Sequence, residues 1–299
     1  MNFFRDFVKE VEEKKKKYQK IKVEYSLQTN GILLNEEWCA FLNQYSFLVG
    51  LSLDMLAEYH NENRVTPEGK GTYHAVCKAK NLLDKYNVEY NILTVLTNTM
   101  AQHPQKVWNY LKQQKIQYVQ FVPCLDELMM REKNKYALTP GRFASFYIQI
   151  FKLWLEELQK GHYISIKLFD DILNLFLEKK VTACGLLGKC SPQIVTEADG
   201  SVYPCDFYAL DKYKVGNLSN QTLFQILGSP AMRMFVEKSS ARATECKECL
   251  YWHMCGGGCK RMKNAVYGNG NSEICGYRQF LEKCLPDLLN VANQIEKSL

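Results

Sequence analysis

Four cysteines crowd into the run Cys246-x2-Cys249-x5-Cys255-x3-Cys259, and no other feature limits the possible folds so strongly. Thiols this close converge only if the backbone turns tightly, and Gly256-Gly257-Gly258 supplies the freedom to do so. Cys184, Cys190 and Cys205 lie upstream and Cys275 downstream, giving eight cysteines in one region. Cysteine thiolate is the soft ligand that iron–sulfur chemistry requires, so the leading expectation is two [4Fe–4S] clusters. Structural zinc at these spacings is the first alternative. Disulfides are the second, and a reducing compartment disfavours them. Cys39, Cys77, Cys124 and Cys284 stand at no ligand spacing and are expected to be buried small apolar residues.

The first ten residues, MNFFRDFVKE, carry charge inside their short apolar stretch, and no signal-peptide pattern follows. No run of eighteen apolar residues is available to span a membrane. The expected compartment is therefore the reducing cytoplasm, where clustered cysteines read as metal ligands. With 46% hydrophobic and 23% charged residues the composition is that of a globular protein. The excess of six positive charges is not gathered into a stripe. Lys14 to Lys17 follow Glu12 and Glu13 and read as a solvated helix face, so no nucleic-acid partner is expected.

The N-terminal portion alternates strand-like and helix-like segments. Strands are expected at Val23–Gln28, Phe47–Leu53, Tyr90–Leu96 and Ile116–Pro123. Helices are expected at Phe3–Tyr18, Asn35–Asn43, Thr72–Lys85, Pro104–Gln114 and Pro140–Lys160. Such alternation implies a parallel sheet, open or curled into a barrel, with ligands at the strand carboxyl ends. Asn30-Gly31, Asp54 and Cys124-Leu125-Asp126 occupy those ends. The opening helix precedes any strand, so Phe3, Phe4, Phe7 and Val8 have no obvious partner.

Near Lys180 the chain changes character, and regular structure between Thr182 and Cys190 should be short. Gln193–Thr196 and Ser201–Pro204 flank Ala198-Asp199-Gly200 as a hairpin. Thr222–Leu227 and Pro230–Glu237 read as short helices. Tyr277–Lys297 reads as a closing helix that Pro286 should kink or restart. Asp206, next to Cys205, would be held by a metal–sulfur bond one residue away, which suits a general base; a surface turn aspartate is the plainer reading.

Over essentially all 299 residues the chain resembles the anaerobic sulfatase-maturating enzymes, radical S-adenosylmethionine proteins with a SPASM domain. Ser26-Leu27-Gln28-Thr29-Asn30-Gly31, Phe47 to Asp54 and Gln120-Phe121 to Asp126 carry the likeness. So do Asp199 to Tyr208 and the four-cysteine run. The resemblance implies an α/β fold: an incomplete (β/α)6 barrel over 1–165 lacking its first strands, then a small SPASM domain over 166–299 with a hairpin and helices. It implies two [4Fe–4S] clusters, one on Cys184, Cys190, Cys205 and Cys259, the other on Cys246, Cys249, Cys255 and Cys275. It implies Ser52, Arg64 and Leu125 as S-adenosylmethionine contacts and Asp206 as the proton acceptor. The implied reaction oxidises a sulfatase Cys or Ser to formylglycine, with a sulfatase polypeptide as substrate and a flavodoxin or ferredoxin as electron donor.

The family's CxxxCxxC and GGEP stretches do not occur, and Leu53-Asp54-Met55 replaces its usual Asp-Gly turn. The expectation is an N-terminally truncated maturase, inactive alone. A non-catalytic iron–sulfur or electron-transfer protein and a modifier of another peptide are the alternatives.

Overall fold

The computed structural model describes residues 1–18, 20–128, 134–178, 181, 183–237, 246–268 and 275–298. Lys180 and Thr182, where the sequence changes character, lie outside these. The chain divides into two compact units. The first comprises Met1–Leu96, Gln105–Val122 and Trp154–Lys167, the second Thr97–Pro104, Pro123–Leu153 and Leu168–Leu299.

The first unit is built on the sheet β1 (Ser26–Thr29), β2 (Leu48–Ser52), β3 (Tyr90–Leu96), β4 (Tyr118–Pro123) and β5 (Ser165–Ile166), in that order. The pairs β1–β2, β2–β3 and β4–β5 are parallel. The order never reverses, so the sheet has no topological switch point; it winds one way, as barrel strands do. Helices α2 (Glu36–Gln44), α3 (Ala57–Asn63), α4 (Tyr73–Lys85) and α5 (Pro104–Gln113) fall between the strands. Asn35 caps α2 by accepting from Trp38 N at 2.9 Å, and Glu36 and Glu37 favour the same end electrostatically. On α4 the buried stripe is Val76, Ala79, Lys80 and Leu83.

Four strands were legible and the sheet has five: β5 is only two residues long and carries no period to detect. Helix α1 (Asn2–Lys17) is not without partners. Val8 is fully buried, and Phe4 meets Trp38 edge-on at 5.1 Å. Phe3 and Phe7 stay exposed, stacked on each other. Lys14 and Lys15 pair with Glu10 and Glu12 on the exposed helix, as a solvated face does.

In the second unit, α7 (Lys167–Leu177), Tyr147 and Phe151 of α6 (Pro140–Gln159) and α11 (Gly276–Ser298) share an aromatic core. Phe169 stacks on Phe280 at 5.9 Å and meets Phe151 edge-on at 5.3 Å. α11 runs unbroken through Pro286, so the helix does not restart there. Pro286 and Glu282 are both exposed, so water can serve the carbonyl that loses its N–H, while buried Cys284, Leu288 and Val291 hold the helix down.

The antiparallel sheet β6 (Val195–Thr196), β7 (Ser201–Tyr203) and β8 (Gly216–Asn217) contains the expected hairpin. Gly200 sits at φ +79° in its turn, and Asp199 accepts from Ser201 N and Oγ at 2.9 and 2.7 Å. Val202, Val215, Ile226 and Met232 form a small core that includes α8 (Leu223–Leu227) and α9 (Pro230–Glu237). A capping box between Thr222 and Gln225 starts α8. No helix among the described residues is long and apolar enough to cross a membrane.

Candidate iron–sulfur and strand-end sites

The backbone that carries the cysteines is made possible by missing β-carbons. Gly256, Gly257 and Gly258 all take positive φ (+49°, +87° and +69°), a region side chains rarely adopt. They follow α10 (Trp252–Cys255) and reverse the chain between Cys255 and Cys259. A β-carbon on Gly258 would lie 2.1 Å from the Tyr267 ring, and one on Gly185 would lie 2.5 Å from the Cys259 β-carbon. One on Gly188 would lie 2.3 Å from the Gly256 carbonyl. The loop holding Cys184 and Cys190 is therefore pressed directly onto the loop holding Cys255 and Cys259.

Cys246, Cys249, Cys255 and Cys275 line one recess, partly open to solvent, with Tyr251, Trp252, Tyr267 and Tyr277 in its wall. Cys259, only four residues beyond Cys255, keeps different company. Burial raises its thiol pKa first, and the nearby charges of Cys184 and Cys190 push the same way. Cys205 is pushed up to about 12 by burial, with Asp206 and Cys259 adding to the effect. Cys255 is pushed up to about 11 by burial, with Cys275, Cys246 and Cys249 adding theirs. Cys184, Cys190 and Cys205 thus lie near Cys259, and Cys246, Cys249 and Cys275 lie near Cys255. Burial disfavours the thiolate at Cys205, Cys255, Cys259 and Cys275, the form that a bound metal would favour.

All eight are free of disulfide bonds. Among the described residues no three His, Cys, Asp or Glu side chains converge as a single ion requires. Four thiols around one recess are a donor set that fits an iron–sulfur cluster. Of the four cysteines outside the group, Cys39 and Cys284 are buried as expected, whereas Cys77 and Cys124 are only partly buried.

Cys205 follows β7, and Asp206 opens the short 3-10 turn Asp206–Tyr208. Asp206 is exposed; its Oδ1 accepts from Phe207 N at 2.9 Å and from the Cys205 thiol at 3.3 Å. A metal-bound thiolate has no proton to give, so metal loading leaves the carboxylate only its backbone partner. Tyr208 is buried edge-on to Tyr213 and Phe235. Lys260, next to Cys259, sits 3.5 Å from the Phe235 ring centre and donates to the Phe235 carbonyl at 2.6 Å. Arg261 donates to the Asp126 carbonyl, tying the end of β4 to the cysteine loop within the second unit. Leu125, beside Asp126, is half-buried there.

The other candidate site lies at the carboxyl end of β2, in the first unit. Ser52 ends the strand and is buried. Asp54, 5% exposed, accepts from Arg64 Nε at 2.6 Å, Arg64 Nη2 at 3.3 Å and Val95 N at 2.8 Å. Arg64 is thus a built part of the strand end, not a loose loop arginine. Behind it, His60 is fully buried and its pKa falls to about 4, chiefly by desolvation. Asp54 N donates to His60 Nδ1 at 3.2 Å, which leaves the proton of the neutral ring on Nε2. Nε2 then donates to Thr72 Oγ1 at 3.0 Å, and Thr72 Oγ1 donates to the Arg64 carbonyl at 2.9 Å. Sequence reasoning found Asp54 and Arg64 but missed His60 and Thr72, which no spacing rule links; it also missed Lys260 and Arg261, although both flank Cys259.

Residues 189–250 match the SPASM family, an iron–sulfur cluster-binding domain. A cysteine-type anaerobic sulfatase-maturating enzyme of Clostridium perfringens is 40% identical over 289 residues, covering 95% of this chain and 78% of that protein. The serine-type enzyme of Bacteroides thetaiotaomicron is 29% identical over 301 residues, covering 94% and 72%. The solved structure of native anSMEcpe with bound AdoMet and Cp18Cys peptide superposes with a TM-score of 0.87 at 38% identity, covering 97% of this chain and 82% of that one. Identity of this depth over nearly the whole chain places it in the anaerobic sulfatase-maturating enzyme family, the radical S-adenosylmethionine maturases that carry a SPASM domain.

Proposed function

We propose that this chain handles the substrate proton and the electrons in the oxidation of a sulfatase Cys or Ser to formylglycine. The observation that carries the reading is the gathering of eight thiols into two sets of four, with Asp206 one residue from a member of the first. In this reading Cys184, Cys190, Cys205 and Cys259 hold one [4Fe–4S] cluster, and Cys246, Cys249, Cys255 and Cys275 hold another. Residues 1–165 act as the partial barrel and 166–299 as the auxiliary-cluster domain, in the cytoplasm. S-adenosylmethionine, when bound with its own cluster, supplies the abstraction of a hydrogen atom from the substrate β-carbon. Asp206 would take the thiol or hydroxyl proton as the carbon–heteroatom double bond forms, and the clusters that these cysteines would hold would supply an acceptor for the remaining electron; for a Cys substrate, water then replaces the sulfur, which leaves as hydrogen sulfide. A flavodoxin or ferredoxin serves as electron donor.

Ser52 and Arg64, both in the first unit, are assigned as S-adenosylmethionine contacts. Arg64 engages Asp54 through two of its five N–H donors, so another edge of the guanidinium can bind a second carboxylate.

Anaerobically purified protein should contain about eight iron and eight sulfide per chain; zinc in their place, or half that iron, defeats the assignment. Joined to an N-terminal segment bearing CxxxCxxC, the chain should convert a sulfatase peptide to its aldehyde. Asp206→Asn in that protein should abolish the aldehyde and leave the iron count alone. Full iron with no aldehyde from any sulfatase peptide would favour an electron-transfer protein or a modifier of another peptide.

A further inference from the structure

Tyr277 stands two residues beyond Cys275, in the first turn of α11. It is 1% exposed and forms part of the wall of the recess ringed by Cys246, Cys249, Cys255 and Cys275. Among the described residues, its phenol oxygen is the one buried side-chain nitrogen or oxygen without a hydrogen-bond partner. The buried carboxylate of Asp171 on α7 is near enough to be felt electrostatically, yet it does not accept from this hydroxyl.

Leaving a buried hydroxyl unbonded forfeits the hydrogen bonds it made with water. The cost disappears if the group that fills the recess is an acceptor. The start of α11 already turns one donor toward sulfur, since Arg278 N donates to Cys275 Sγ at 3.4 Å. Trp252, Tyr267 and Gly257 complete a wall that is largely aromatic, where a hydrogen bond is less screened than in water.

We propose that the Tyr277 hydroxyl donates a hydrogen bond to a sulfur of the cluster held by Cys246, Cys249, Cys255 and Cys275, and thereby raises its reduction potential. The inference rests on the reading that these four thiolates hold a cluster. Its physical basis is that reduction adds negative charge to the sulfurs, so a donor aimed at them stabilises the reduced form more than the oxidised one. Tyr277 therefore sets how readily this cluster takes an electron, without touching the substrate.

Tyr277→Phe removes the hydroxyl and keeps the ring. On anaerobically purified whole chain, EPR-monitored redox titration should show one cluster displaced to lower potential, with iron and sulfide unchanged and the other cluster unmoved. At the wild-type midpoint, the reduced-to-oxidised ratio should fall about tenfold, equivalent to 59 mV for one electron. An unmoved potential with full iron overturns the proposal. If the variant loses iron, 3-fluorotyrosine placed at position 277 decides: a more acidic phenol in the same packing should move the potential up, and no movement overturns the proposal. The double variant Cys249→Ala/Cys255→Ala separates this from failure of the underlying reading. Unchanged iron and sulfide in that variant would mean that no cluster sits in the recess at all.

Discussion

The end of β2 and the cysteine loops meet their polar requirements in opposite ways. At the strand end every group has a protein partner: Asp54 holds Arg64 and Val95 N, His60 links Asp54 N to Thr72, and Thr72 returns to the Arg64 carbonyl. In the cysteine loops thiols whose pKa values are raised by burial face a recess, and the Tyr277 hydroxyl has no partner. One site is complete as folded polypeptide. The other has a polypeptide wall and, in the proposed reading, is finished by inorganic sulfur and iron.

The sharpest way to break this contrast is to strip the iron. Chelation of the reduced protein should abolish amide protection in 184–190 and 246–259 while β1 to β4 keep theirs, as read by hydrogen exchange. Equal loss in both regions would show that the strand end also depends on metal. Next in size is Gly258→Ala. It forces a side chain into positive φ and into the Tyr267 ring, so it should cost at least about 3 kcal/mol in denaturant unfolding or prevent iron retention. Asp54→Asn should cost about 2–3 kcal/mol with full iron, because it leaves the partly buried Arg64 charge poorly paired.

An effect of comparable size should come from acid. With its pKa lowered to about 4 from an ordinary 6.5, His60 is neutral in the folded state through a range where the unfolded chain binds a proton. Its contribution to stability is full above about pH 6.5 and is lost as pH falls toward 4, by up to about 3 kcal/mol. Stability of His60→Gln against pH should be flatter across that window; an unchanged slope would remove His60 from the strand-end bracket.

Much of this was legible in the chain. The apolar runs of β2 and β3 and the Asp199-Gly200 turn declared themselves because local chemistry fixes each one. β5 did not, since two residues carry no pattern and pair only because β4 lies beside them. α7 went unread too, although it carries Phe169 into the aromatic core. The cysteine spacing announced a metal site, but not that Cys255 and Cys259 face different neighbours. That depends on a chain reversal whose direction is set by tertiary packing against Gly185 and Gly188. The Tyr277 hydroxyl could not be read at all, because lacking a partner is a property of the fold and not of the sequence.

The three glycines between Cys255 and Cys259 also bear on heredity. Every single-base change that replaces a glycine codon's amino acid introduces a residue with a β-carbon. Across Gly256, Gly257 and Gly258 the gene is thus left with synonymous changes as its only harmless point mutations. In a library of random variants these three codons should form a sharp trough of tolerance. Exposed Phe224, in the same unit, should accept nearly anything.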